Sequence, residues 1–158
     1  MTVRDIMTSP APTCAPDTRV EDVARRLLNE GIVGLAVVDD KGETLGLVSR
    51  HDLVAKHARV HAPWYLGILG GVLPFDHDRT GDELQHVLAV TARELMATDV
   101  PAVTGSSAVD DAASLLVDDR FECLLVMDDD ALVGLLTEEN ILRLLLTEER
   151  DEPAGSPD

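Results

Sequence analysis

Aromatic side chains are scarce in this chain, with one Trp, one Tyr and two Phe among 158 residues. Apolar residues still make up 45%, so a core is possible but must be built from Val, Leu, Ile and Ala. Lysine is nearly absent too: Lys41 and Lys56 are the only two. The formal charge is −17, and a chain so short of cations cannot neutralise a phosphate backbone, which excludes nucleic acid as a partner. Cysteine is limited to Cys14 and Cys123, which form no CxxC. They read as small buried residues of a reducing compartment, a disulfide or nucleophilic pair being the alternative. No apolar run reaches the roughly 18–20 residues of a membrane span, and the opening MTVRDIMTSP lacks an apolar signal core. A soluble, cytoplasmic protein with no membrane partner is expected. HExxH, GxSxG and a phosphate loop are missing as well, since no Lys-Ser/Thr follows ILGG, and no enzyme is expected.

What the chain does contain is itself, twice. Residues 3–53 overlay 92–141: VRDIM lies on ARELM, VEDVARRLL on VDDAASLLV, LAVVDD on LLVMDD, and LGLVS on VGLLT. The period is about 89 residues, too long for a solenoid, and fits two homologous units.

Each copy shows the same periodicities. Val20, Val23, Ala24, Leu27 and Leu28 fall at helical spacing, with Thr18 and Glu21 as a capping box and Gly31 as a stop. Next come GLAVVDD and TLGLVS, two short strands close enough to form a hairpin. A helix follows Ser49, with Leu53, Val54 and Ala58 as its inner face, and a strand near 11–14 precedes everything. The second copy predicts strands near 101–104, 123–128 and 132–136, with helices at 108–119 and 138–147. The fold class is α/β (α+β), two β-α-β-β-α units packed as an intramolecular pseudo-dimer, because one such unit alone cannot cover both faces of a three-stranded sheet. Boundaries are placed at 1–58 and 92–147. Between them runs an insert, 59–91, holding Trp64 and Tyr65 and a helix capped by Thr80 and Glu83; it packs on the first unit, mediates self-association or meets a partner. Residues 148–158 read as a disordered acidic tail.

Two such units, each with a Gly-apolar-apolar-[Ser/Thr]-x-x-[Asp/Asn] junction, resemble a tandem cystathionine-β-synthase (CBS) domain pair, or Bateman module. The Pro common in the second strand of that family is Ala36 here and Leu125 in the second copy. The resemblance implies a regulatory module, requiring no cofactor, that binds AMP, ADP, ATP or S-adenosylmethionine in clefts between paired units. It implies adenine against Ile32, Val33, Gly34 and Ala36 and near Thr13 and Cys14, with Ser49 and Asp52 toward ribose and phosphate. Family members often pair, so a homodimer is expected, with output through an unidentified regulated protein or self-association.

The junction chemistry differs between the copies. Ser49 opens a helix whose first N–H groups suit an anion, Asp52 can accept ribose hydroxyls, and Arg50 and His51 add cationic donors. In the second copy Thr137 and Asn140 remain, but Glu138 and Glu139 replace the cations. One nucleotide site is therefore expected at Ser49–Asp52, and a weaker second site at Thr137 and Asn140. The same pattern is also a capping box, recurring at Thr18–Glu21 and Ser107–Asp110, so a structural protein with vestigial sites is the alternative. His57 and His61 share a helical face, with Asp76, His77 and Asp78 downstream, but read as surface histidines and not a metal site. Asp39-Asp40 and Asp128-Asp129-Asp130 read as solvated turn tips.

Overall fold

The computed structural model describes residues 1–60, 90–118 and 121–151. Most of the 59–91 insert, with Trp64, Tyr65, Thr80, Glu83, His61 and Asp76–Asp78, lies outside the described residues, as do the His57 side chain and 152–158. In chain order the elements are α1 (Val3–Ile6), β1 (Thr13–Cys14), α2 (Val20–Asn29), β2 (Gly34–Val38), β3 (Thr44–Ser49), α3 (Arg50–Val60), α4 (Ala92–Leu95), β4 (Ala102–Val103), α5 (Val109–Asp118), β5 (Cys123–Asp128), β6 (Ala131–Thr137) and α6 (Glu138–Asp151). The strands and helices expected of the two repeats are present among the described residues, and two three-stranded sheets result; the helix expected after Thr80 lies outside them.

Packing divides the chain into an inner unit, Thr13–Thr98, and an outer unit, Met1–Pro12 with Asp99–Asp158. Sequence boundaries at 58 and 92 follow the repeat along the chain; the compact units follow a different division. In each, a two-residue strand pairs in parallel with the first strand of an antiparallel hairpin, β1-β2-β3 in the first-named unit and β4-β5-β6 in the second. The turns obey local chemistry. Asp129 and Asp130 both take positive φ, as a two-residue hairpin turn between Asp128 and Ala131 demands. Gly31, at φ +64°, ends α2, letting the Ile32 N–H reach back to the Leu27 carbonyl at 3.1 Å.

Each core lies between one sheet face and its helices. The inner core gathers Cys14, Val23, Leu27, Leu35, Val37, Val48 and Ala92; the outer one Val3, Val103, Ala112, Leu116, Leu124, Val126 and Leu136. Two of these residues come from segments that lead the other repeat. Val3 precedes β1 but docks in the outer unit, where its N–H meets the Ser107 carbonyl at 3.0 Å. Ala92 precedes β4 but docks in the inner unit, its N–H on the Thr18 carbonyl at 2.8 Å. Both are fully buried, and full burial of a Val side chain contributes about 1.5–3 kcal/mol.

The leading segments also explain a glycine in each junction. The Leu47 N–H meets the Ala97 carbonyl at 3.0 Å, and a Cβ on Gly46 would lie 2.4 Å from that oxygen. At Gly134 a Cβ would lie 2.9 Å from the Thr8 carbonyl, which accepts the Leu135 N–H at 3.0 Å. Only glycine admits a crossing chain this close.

Three expectations are corrected. Leu28 is 75% exposed and Val54 68% exposed, so neither belongs to an inner helix face. The Thr18–Glu21 box does not form: the N-cap of α2 is Arg19, and Glu21 pairs instead with Arg25 at 2.8 Å. Nor does Ser107 cap with Asp110, because its hydroxyl serves the Thr104 N–H at 3.1 Å.

Candidate functional site

Strand alternation decides which predicted residues meet. The inner register sets Thr13 opposite Ala36, Ala36 opposite Leu47, and Gly34 opposite Ser49. Partners across a ladder point to the same side, so Thr13, Gly34, Ala36 and Ser49 share the sheet face turned away from the helices. Cys14 belongs to the opposite face and to the core. Burial there pushes its thiol pKa up, partly opposed by Arg26. Its side chain is not assembled with the other candidates. Ile32 likewise turns its side chain toward the core, while Val33 is half-buried.

At the end of β3 the chain makes its capping box. Asp52 Oδ2 accepts the Ser49 N–H at 2.8 Å and the Ser49 hydroxyl at 3.0 Å, and the Asp52 N–H returns to Ser49 Oγ at 3.4 Å. Ser49 is 8% exposed, so its N–H needs this acceptor. Both bonds to the carboxylate use the same oxygen, Oδ2. Asp52 Oδ1 has no hydrogen-bond partner among the described residues, and remains available to accept from a ligand. Capping and binding are thus compatible functions of one side chain.

Arg50 does not project freely as a phosphate donor. Its Nε donates to the Ile32 carbonyl at 2.9 Å and its Nη2 to the Leu27 carbonyl at 3.4 Å, while its backbone N–H meets the Val33 carbonyl at 3.0 Å. It therefore pins the turn that carries Ile32, Val33 and Gly34 to the start of α3. His51 follows it on the exposed side of the first turn. Thr13 is fixed through its own carbonyl, which accepts from Arg26 Nη1.

The outer unit repeats the cap with different consequences. Asn140 Oδ1 accepts the Thr137 N–H and hydroxyl, both at 2.9 Å, and its N–H returns to Thr137 Oγ1 at 3.3 Å. The one carbonyl oxygen is now fully occupied. The remaining amide group donates to Thr8 Oγ1 at 3.3 Å. Thr8 overlays Ala97 in the repeat, and no side-chain donor or acceptor stands there in the inner unit. Opposite Thr137 the sheet carries Cys123 where the inner unit has Gly34, and Leu125 where it has Ala36. Three differences therefore separate the copies beyond the two glutamates: an occupied cap, a plugging hydroxyl and a filled face. Of the glutamates, Glu139 is paired with Arg143 at 2.5 Å. Sequence reading missed Thr8 and Cys123, although the overlay of DIMT on ELMA displays the first.

Two β-α-β-β-α units with this junction are matched by the sequence profile of the CBS domain at residues 3–58 and 92–147. The chain belongs to the CBS-domain family. It is 31% identical over 150 residues to the chloroplastic CBS domain-containing protein CBSX2 of Arabidopsis thaliana, covering 86% of this chain and 59% of that one. An uncharacterised protein of Methanocaldococcus jannaschii, MJ1225, is 25% identical over 142 residues, covering 89% of this chain and 46% of its own. The chain thus spans about half the length of these curated relatives. Among solved structures, CBSX2 in complex with AMP superposes with a TM-score of 0.70 at 30% identity, covering 94% of this chain and 98% of that chain. The CBS domain pair of MJ0100, in complex with 5′-methylthioadenosine and S-adenosyl-L-methionine, gives 0.69 at 23% identity, covering 94% and 98%; at that identity it speaks for the CBS-pair fold alone. CBS pairs are generally regulatory, not catalytic. No helix among the described residues is long and apolar enough to cross a membrane, and no group of three His, Cys, Asp or Glu there could hold a metal ion.

Proposed function

We propose that this chain is an adenine-nucleotide sensor whose working site is the inner-unit junction, with AMP, ADP or ATP as ligand and S-adenosylmethionine as a weaker alternative. The observation that carries the reading is the divided labour of Asp52: Oδ2 caps α3, and Oδ1 is free to accept the ribose hydroxyls. Charge-assisted bonds of that kind are worth about 1.5–3 kcal/mol each when sheltered. Gly34 and Ala36 add little side chain to the face that they share with the buried Leu47, which suits a flat adenine lying close to the backbone of Ile32 and Val33. AMP in the CBSX2 crystal structure supports the ligand class. The outer-unit junction, with Asn140 occupied and Glu138 beside it, is the weak or silent site. A phosphate would meet the Glu138 charge at a cost of about 1 kcal/mol in contact through water.

The signal is a shift between arrangements for which the nucleotide has different affinities, and it leaves through a partner protein or a homodimer. The exposed Val117, Leu142, Leu145 and Leu146 on α5 and α6 support self-association, and equally favour the alternative of an interaction protein with vestigial sites. Calorimetric titration with AMP, ADP, ATP and S-adenosylmethionine separates the two. One saturable binding event, lost in Asp52→Ala, is expected of the sensor. A folded protein that gives no heat and no thermal shift with any of the four is the interaction protein.

A further inference from the structure

The two units differ at a second place, at the opposite end of the sheet from the junction. In the outer unit, Arg4 pairs with Asp128, and the other Asp128 oxygen accepts the Gly105 N–H at 3.0 Å. The Arg4 N–H reaches the Gly105 carbonyl at 2.9 Å, and its guanidinium lies so close that a Cβ on Gly105 would sit 2.8 Å from it. This corner is closed. In the inner unit the repeat puts Arg93, Asp39 and Pro16 at those three positions. The backbone contact survives, Arg93 N–H to the Pro16 carbonyl at 3.0 Å. The side-chain network does not. Proline has no N–H for the aspartate, and a side chain at this position crowds a guanidinium placed as that of Arg4 is. Asp39 instead turns into its own hairpin, with Oδ1 accepting the Lys41 and Glu43 N–H groups at 2.9 and 2.8 Å.

Arg93 is left without a side-chain partner among the described residues. A hollow of about 470 Å³ opens beside it, within the range of small-molecule sites. Its floor is Ala15, Pro16 and Val38, and its charged rim is Arg93 with Asp17, Asp39 and Asp40. A simple anion would meet three carboxylates there, and a simple cation would leave the guanidinium unanswered. We propose that this hollow is a second ligand site, separate from the nucleotide junction, for a zwitterion of amino-acid size with an aliphatic body. The carboxylate lies on Arg93, the ammonium faces Asp17 and Asp40, and the side chain covers Pro16 and Val38.

The test is titration of the full chain with L-leucine, 3-methylbutylamine and 4-methylpentanoate, the last two each lacking one charged group. L-Leucine should saturate, with each analogue at least tenfold weaker. Arg93→Gln should abolish the preference for L-leucine over the amine without lowering the melting temperature, because that guanidinium holds no side chain among the described residues. Pro16→Gly should let Arg93 and Asp39 close as Arg4 and Asp128 do, and L-leucine binding should disappear. Equal weak responses to all three compounds, or an unchanged L-leucine titration in Arg93→Gln, would overturn the assignment. So would a cooperatively melting native protein that gives no heat with L-leucine.

Discussion

Asp52→Asn separates the two tasks of the junction, because the protein already shows what asparagine does at this position. In the outer unit Asn140 caps its helix as fully as Asp52 does, with bonds of 2.9, 2.9 and 3.3 Å against 2.8, 3.0 and 3.4 Å. The substitution should therefore keep the cap and cost less than about 0.5 kcal/mol. At about 2–4 °C per kcal/mol for a chain of this size, the melting temperature moves by no more than about 2 °C. Binding is another matter. Asn presents an N–H group where Oδ1 was, so at least one charge-assisted acceptor of about 1.5–3 kcal/mol is lost. AMP affinity should fall by about 10- to 150-fold. Asp52→Ala removes the cap as well, stranding the buried Ser49 N–H at about 1–3 kcal/mol, and its melting temperature should fall visibly. Calorimetry with AMP beside differential scanning fluorimetry reads both quantities. Unchanged AMP affinity in a stable Asp52→Asn protein would refute the reasoning, and so would equal thermal losses in the two variants.

Thr8→Ala with Asn140→Asp reproduces the inner pair Ala97 and Asp52 in the outer unit, and should add a second, weak event in titrations with uncharged adenosine. AMP should gain less, since Glu138 remains; a stoichiometry still at one would show that Cys123 and Leu125 fill the face instead. Arg50→Gln removes two bonds to the carbonyls of Leu27 and Ile32, each worth about 1 kcal/mol at most. Faster amide exchange across residues 28–34 is the expected readout, and unchanged protection there would contradict the pinning role. The raised Cys14 pKa favours the neutral thiol in the folded state. Its contribution to stability is complete below the unfolded thiol pKa of about 8.5 and fades as pH rises through the higher folded value. Cys14 should accordingly resist iodoacetamide at pH 8 in the native protein and react in urea, as mass spectrometry would show.

The sequence revealed elements better than surfaces. Strands and hairpins were legible because GLAVVDD and TLGLVS combine apolar runs with turn residues, and because each pattern occurs twice. Leu28 and Val54 were misplaced for a geometric reason. At about 100° per residue Leu28 lies about 80° round the helix from Val20, outside the narrow stripe of Val20, Val23 and Leu27 that meets the sheet. Val54 lies about 100° from the half-buried Leu53. Thr18 has the right chemistry for a cap, but α2 begins one residue later, and its carbonyl receives the Ala92 N–H from a distant segment. That docking was invisible because a repeat reveals that VRDIM and ARELM are equivalent, not which unit each one joins. At the site, residue types and spacing pointed to Ser49 and Asp52. The face assignment that sets Cys14 apart needed strand register, and the second occupation of Arg50 needed distances.

The exchanged leading segments have a consequence for synthesis. Val3 leaves the ribosome well before its docking partners, which include Ser107 and Leu136, made about a hundred or more residues later. At about 5–20 residues per second, that segment waits on the order of ten seconds with its apolar side chains uncovered. The inner unit, running unbroken from Thr13 to Thr98, can close while the chain is still growing. The outer unit can close only when the two ends of its sequence meet.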